Sequence, residues 1–257
     1  MIPKAEIKRI KSLYIKKYRL QEGLFVAEGH KTVGELLPYM DCKVLYAVSP
    51  QTLPFKTGQT PVLKISREEL CRISNMECPQ DVLAVFGIPR HALNAQNLKG
   101  RLSVALDGIR DSGNLGTIIR AADWFGVENI LCSSDTADAF NPKTVQASSG
   151  ALARVRLYYV DDLAGFLSSC GMDAYATSLD GDNLYECEFS GEGIVVFGNE
   201  GNGISEAVKR VCNRKLLIPN YPQGRKTTES LNVGTAAAVT LAEIRRQHLV
   251  YGIQPNP

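Results

Sequence analysis

Residues 195–205 read VVFGNEGNGIS. The β-branched run ending at Phe197 is strand-like, Gly198, Gly201 and Gly203 follow, and a helix is expected from near Ile204. A buried strand that turns through glycines into a helix is the unit from which parallel sheets are built. The same alternation runs on both sides of this stretch. Strands are expected at 102–107, 129–132, 173–178, 193–198 and 215–220, and helices near 116–125, 142–152, 161–170, 204–212 and 231–247. The pattern predicts an α/β domain whose parallel sheet is covered by helices. Ligands of such sheets bind at the carboxyl ends of the strands, which singles out the loops after Asp107, Phe197 and Ile218.

Upstream, GIPRHALNAQNLKGR (87–101) carries proline, glycines and amides without a sustained apolar period, and reads as a linker. Before it, KTVGELLPYM (31–40) is helical in pattern, whereas KVLYAVS (43–49) and VLAVFGI (82–88) are strand-like. The expected organisation is a small N-terminal α/β domain at 1–88, a linker at 89–100 and the larger domain at 101–257.

Hydrophobic residues make up 44% of the 257 and charged ones 22%, the balance of a globular protein. No apolar run reaches the roughly 18 residues of a membrane span, and the first residues, MIPKAEIKRIKSLYIKK, lack the apolar core of a secretory signal. A cytoplasmic protein with no membrane partner is expected. Seven cysteines without a C-x-x-C pair and three dispersed histidines argue against a zinc site or a disulfide framework, so no metal is expected.

The net charge of +2 hides an asymmetry: residues 1–100 carry fifteen Lys and Arg against nine Asp and Glu. Seven of those cations stand within the first twenty residues, opposed by Glu6 alone. A basic end suits a polyanion through phosphate neutralisation, and it equally suits a solvated helix face.

Each strand-end loop has a plain and a functional reading. In LDGIRDSGNLGTIIRAADWFG (106–126) a helix is expected from near Gly116, closing at Gly126, with Ile118, Ala122 and Phe125 on its buried stripe. Arg120, about 200° round from Ile118, then lies off that stripe. In the first turns of a helix an Arg opposes the dipole, a conflict that a nearby anion would relieve. Otherwise it is a surface Arg, and Asn114 a turn residue. In the second loop the order G-x-x-G-x-G is not the dinucleotide fingerprint G-x-G-x-x-G, and Glu200 would repel phosphate. The loop suits a neutral or cationic ligand, or is a tight turn with an exposed Glu. The third runs LLIPNYPQGRKTTESLNVGTAAA (216–238) and places Ser230 and Asn232 at a helix start, ahead of small residues that permit close packing. Its GRKTT lacks the glycine at position 220 that a phosphate-binding G-x-x-x-x-G-K loop requires, which excludes a nucleoside triphosphatase.

Together the three loops resemble the SpoU (TrmH-type) family of RNA ribose 2′-O-methyltransferases. The resemblance rests on Asn114, Gly116 and Arg120, then GNEGNG at 198–203, then Ile218-Pro219 and Ser230-Leu231-Asn232-Val233, in that order. KKYRLQEGLFVAEGHKTVGELL (16–37) and QDVLAVFGIP (80–89) are similar to the ribosomal-protein-like substrate-binding domain found in many members. The resemblance implies a SPOUT-type fold with a deep trefoil knot, a homodimer, S-adenosyl-L-methionine as cofactor and RNA as partner, ribosomal RNA ahead of transfer RNA. It implies main-chain contacts to the adenosine part from Gly198, Ile218 and Leu231, with Thr177, Gly201 and Gly203 lining the same pocket. It gives catalytic roles to Arg120, Asn114, Glu200, Ser230 and Asn232, and on the basic N-terminal part RNA contacts fall to Lys16, Lys17, Arg19 and Lys31.

Methyl transfer to a ribose hydroxyl needs a held donor, an in-line hydroxyl and a route for the hydroxyl proton. Arg120 is expected to clamp the RNA phosphate and place the ribose, since a guanidinium normally stays protonated. In the family it is also proposed as a base aided by a neighbouring phosphate. Two departures stand out: the ten-residue loop NYPQGRKTTE (220–229) is longer than usual for the family, and Gly234 stands where Ser is common. A non-catalytic RNA-binding or assembly protein, a transfer-RNA methyltransferase and a dehydrogenase are the competing readings.

Overall fold

The computed structural model describes residues 1–222 and 224–251, the side chains of 250 and 251 apart. The expected end of the larger domain, 252–257, and Gln223 of the long loop lie outside the described residues. In chain order the elements are α1 (Lys4–Ser12), α2 (Lys16–Glu22), β1 (Leu24–Glu28), α3 (His30–Leu36), β2 (Cys42–Ala47), β3 (Val62–Lys64), α4 (Arg67–Ile73) and β4 (Val82–Gly87). There follow β5 (Leu102–Asp107), α5 (Ser112–Trp124), β6 (Asn129–Ser133), α6 (Pro142–Ser148), β7 (Arg156–Val160) and α7 (Leu163–Ser169). The last elements are β8 (Ala174–Asn183), β9 (Gly193–Gly198), α8 (Glu206–Val211), β10 (Arg214–Leu217) and α9 (Val233–Tyr251).

The chain forms two compact units, residues 1–90 with 138–154, and 91–137 with 155–257. Segment 138–154, expected within the C-terminal domain, packs in the first unit. The reasons are local: Phe140 lies against Phe25 at 5.0 Å, and Arg154 pairs with Glu35 at 2.9 Å. Gly150 has a φ of +90°, and a Cβ there would meet Glu35 Cβ at 2.3 Å. Arg19, 1% exposed, donates to Asp138 at 2.6 Å and to the Leu13 carbonyl at 2.8 Å. The first unit holds a mixed sheet ordered β1-β4-β2-β3, antiparallel except between β2 and β3. Ile10, Leu13, Val26, Tyr46, Leu70 and Leu83 fill one side of it.

The second unit is a six-stranded sheet ordered β10-β8-β9-β5-β6-β7, parallel throughout. Its central strands β9, β5 and β6 are buried almost from end to end, as cover on both faces demands, whereas β8 is buried only over Ala174–Ala176. The strand order reverses between β5 and β9, whose ends Asp107 and Gly198 are register partners. This is the switch point at which open α/β sheets leave a crevice for ligands.

Several boundaries differ from the sequence reading. Helix α5 begins at Ser112 because Asp111 caps it, accepting from Asn114 N–H at 2.8 Å. Arg120 therefore lies deep in the helix, and no conflict with the dipole arises at its position. On α5, Leu115, Ile118, Ile119 and Ala122 are buried, whereas Phe125, the residue just past the helix, is half-buried. Strand β7 falls in RLYYV, which was not among the expected strands. Strand β8 runs on through Asp180-Gly181-Asp182-Asn183, a stretch that reads as a turn. Asp182 and Asn183 pair with Leu216 and Leu217 across a bulge, and Gly181 is in place because a Cβ would meet the Leu216 backbone at 2.7 Å.

Helix α9 buries Val233, Ala237, Leu241 and Ile244 along one stripe and packs on α5. A Cβ on Gly234 would stand 2.9 Å from Thr117 Cγ2, so the small residues serve the approach of α9 to α5. Among the described residues no helix is long and apolar enough to cross a membrane.

Candidate active site

A cleft of about 550 Å³ opens at the carboxyl end of β9 and along the middle of β8, closed by the loop after β10 and the first turn of α9. Its volume is that of a small-molecule site. Thr177, Gly198, Gly201, Gly203, Ile218 and Leu231, the six residues expected to hold the cofactor, all line it. So do Glu200 and Ser230.

The shape is set largely by backbone. A Cβ on Gly198 would meet Ile204 N at 2.2 Å and the Gly203 carbonyl carbon at 2.3 Å, so only glycine lets the loop fold back on β9. Thr177 donates to the Val196 carbonyl at 2.9 Å, fixing β8 to β9 just beyond their last paired residues, Ala176 and Val196. Phe197, Leu216, Leu231 and Val233 give the cleft apolar walls, and Asp180, Glu200 and Glu229 place three carboxylates on its lining against Lys209. Lys209 is itself paired with Glu206 at 3.2 Å. Lys215 and Ser178 hold the Asp180 carboxyl down at about 2. Apolar walls with an excess of acids fit a ligand that joins a flat ring system to cationic groups, and they disfavour a polyphosphate.

Beside the cleft, hydrogen bonding fixes a chain of polar side chains. Asn232 Oδ1 accepts from the N–H groups of Gly234 and Thr235, at 3.0 and 3.2 Å, at the start of α9. This leaves its Nδ2 to donate to Asn114 Oδ1 at 2.9 Å. Asn114 Nδ2 must then point the other way, and it donates to Glu200 Oε1 in a close hydrogen bond. The orientation of both amides follows from which backbone groups can donate. The second Glu200 oxygen has no partner among the described residues. Ser230 is exposed on the cleft wall.

Arg120 is not part of this chain. It is exposed, and among the described residues it makes no hydrogen bond or ion pair. Lying six residues beyond Asn114, it stands about 9 Å further along α5 and on another side of it. Lys16, Lys17 and Lys31 are exposed. Arg19 is not a surface cation: burial and its pairing with Asp138 remove it from the set that can meet phosphate.

Sequence reading did not single out Asn199. Its Oδ1 accepts from Gly201 and Asn202 N–H at 2.9 and 3.2 Å, and its Nδ2 donates to the Gly108 carbonyl at 2.9 Å. The available signal was an Asn two residues before a Gly in a turn, where an Asn side chain mimics backbone. Among the described residues no group of three His, Cys, Asp or Glu gathers to hold a metal ion.

Residues 101–242 match the SpoU rRNA Methylase family, and residues 4–84 match the MRM3-like substrate binding domain. The chain is 30% identical over 249 residues to the 23S rRNA (guanosine(2553)-2'-O)-methyltransferase RlmP of Bacillus subtilis (strain 168), covering 93% of this chain and 96% of that protein. It superposes on a putative RNA methyltransferase of the TrmH family from Porphyromonas gingivalis with a TM-score of 0.87 and 37% identity, over 96% of this chain and 99% of the other. An AdoMet-bound rRNA methyltransferase from Sinorhizobium meliloti gives a TM-score of 0.82 and 28% identity, over 96% of each chain. With its three loops meeting at one switch point and a family match across more than half its length, the chain belongs to the SpoU rRNA methylase family.

Proposed function

We propose that this chain methylates a ribose 2′-hydroxyl of ribosomal RNA, using S-adenosyl-L-methionine. The observation that carries the reading is the convergence of six separated residues, from Thr177 to Leu231, on one cleft that also carries Glu200. The cleft fits that cofactor: apolar walls for an adenine, and carboxylates for its cationic groups. Thr177, Gly198, Gly201, Gly203, Ile218 and Leu231 would hold it. When bound, it supplies a methyl group on a sulfonium, an electrophile that needs no further activation.

The protein's own groups then have to place the hydroxyl and accept its proton. Glu200 offers an uncommitted carboxylate oxygen on the cleft lining, while Asn114 holds the other oxygen and Asn232 holds Asn114. Ser230 adds a hydroxyl on the same wall. Arg120 has a free guanidinium on the outer face of α5, suited to clamp an RNA phosphate bidentately and so to fix the ribose. Lys16, Lys17 and Lys31 contribute phosphate contacts from the first unit.

The family assignment extends the proposal to a knotted path of the C-terminal chain, a homodimer and a cytoplasmic location. Trp124 on α5 and Leu249 on α9, 84% and 85% exposed, are apolar side chains that a second copy would cover. Mapping 2′-O-methyl groups in ribosomal and transfer RNA, from cells with and without the gene, tests the substrate. Loss of a ribosomal site supports the reading. Loss of a transfer-RNA site alone moves the substrate, and no loss favours an assembly protein.

A further inference from the structure

We infer that Asn199 is the positioning residue that sets the Glu200–Asn114 contact, by stitching the loop after β9 to the loop after β5. Three sets of bonds meet on it. Its Oδ1 takes two backbone N–H groups of its own loop, from Gly201 and Asn202. Its backbone exchanges both hydrogen bonds with Gly203, at 3.0 and 2.8 Å. Because the oxygen is committed inward, the amide nitrogen must point outward, and it donates to the Gly108 carbonyl at 2.9 Å.

Gly108 is a fixed anchor. Its φ is +71°, and its N–H donates to Ser133 Oγ at 2.8 Å. A second stitch runs the other way across the same strand ends, from Ser205 N–H to Asp107 Oδ2 at 2.7 Å. Glu200 immediately follows Asn199, and Asn114 lies one helical turn beyond Asp111, the cap that starts α5 directly after the Gly108 loop. The two side chains that meet, Glu200 and Asn114, are thus carried by two loops whose separation Asn199 sets. Asn199 need not touch the reacting atoms to matter for the rate.

This inference rests on the methyl-transfer reading of Glu200, and the test separates the two. Turnover at saturating cofactor and RNA, and cofactor Kd by isothermal titration, are measured for the intact protein, Asn199→Asp, Glu200→Gln and the double variant. Asn199→Asp keeps the acceptors that cap the turn and loses the donor to Gly108. It is expected to lower kcat about tenfold, the size of one positioning hydrogen bond, and to move cofactor Kd less than about threefold. Added to Glu200→Gln it is expected to cost less than about twofold more, because coupled residues are not additive. Asn199→Ser, too short to reach Gly108, should show the same pattern and provides a second route if the Asp variant folds poorly. Losses that multiply in the double variant, or an unchanged kcat in both Asn199 variants, overturn the inference while leaving Glu200 its role. An unchanged kcat in Glu200→Gln removes the role of Glu200 itself, and the inference with it.

Discussion

Arg19 and Arg120 carry the same side chain and the same expected partner, an RNA phosphate, and they have opposite surroundings. Arg19 is 1% exposed and ends on Asp138, the first residue of the segment that the first unit takes from the middle of the chain. Arg120 is exposed on α5 and meets no partner among the described residues. The difference teaches where a cation can serve a ligand. A buried guanidinium whose three nitrogens each have a partner stabilises the fold, whereas one held on a rigid helix with its donors free is available to a substrate that brings its own charge.

The contrast breaks most sharply on stability. Arg19→Ala leaves Asp138, its side chain 11% exposed, without its cation and is expected to cost about 3 kcal/mol of unfolding free energy, read by denaturant titration. A loss within experimental error would return Arg19 to the surface set. Next comes the rate: Arg120→Ala is expected to lower kcat/KM about 10²–10³-fold, with the thermal midpoint and cofactor Kd essentially unchanged. A parallel loss of cofactor affinity would place Arg120 in the donor cleft instead. Gly198→Ala tests the cleft itself. Its new Cβ would clash with the Ile204 backbone, so about 1–3 kcal/mol of stability and much of the cofactor affinity should go together, seen by thermal unfolding and titration. The smallest effects belong to Lys16→Ala, Lys17→Ala and Lys31→Ala. Each should lower the slope of RNA affinity against salt by about 1, with turnover at saturating RNA preserved.

The same contrast marks what could be read from the chain. The parallel sheet and the cleft were legible because they depend on backbone: apolar runs mark strands buried on both faces, and glycines such as Gly198 mark places where two backbones nearly touch. The Ser-Leu-Asn-Val run told of a helix start, and the structure adds that Asn232 caps it and passes the polarity on to Asn114. Features that depend on remote partners were not legible. The Asp-Gly-Asp-Asn of β8 has the composition of a turn and becomes strand only because β10 pairs with it. The start of α5 was placed late because Asp111 reads equally as loop acid and as cap. Nothing local to Arg19 tells that Asp138 will meet it, 119 residues on. Asn199 was overlooked for a similar reason, since its bond to Gly108 joins the ends of two strands far apart in sequence.

The most direct test of the account is transfer itself. Purified protein is incubated with S-adenosyl-L-methionine labelled on its methyl group and with unmodified ribosomal RNA, and the RNA is digested to nucleosides for mass spectrometry. The account predicts label on the ribose oxygen of one nucleotide, transferred far more slowly by the Arg120→Ala and Glu200→Gln variants. Label on a base, no label in the ribosomal RNA, or a rate of labelling unchanged by both substitutions would contradict it.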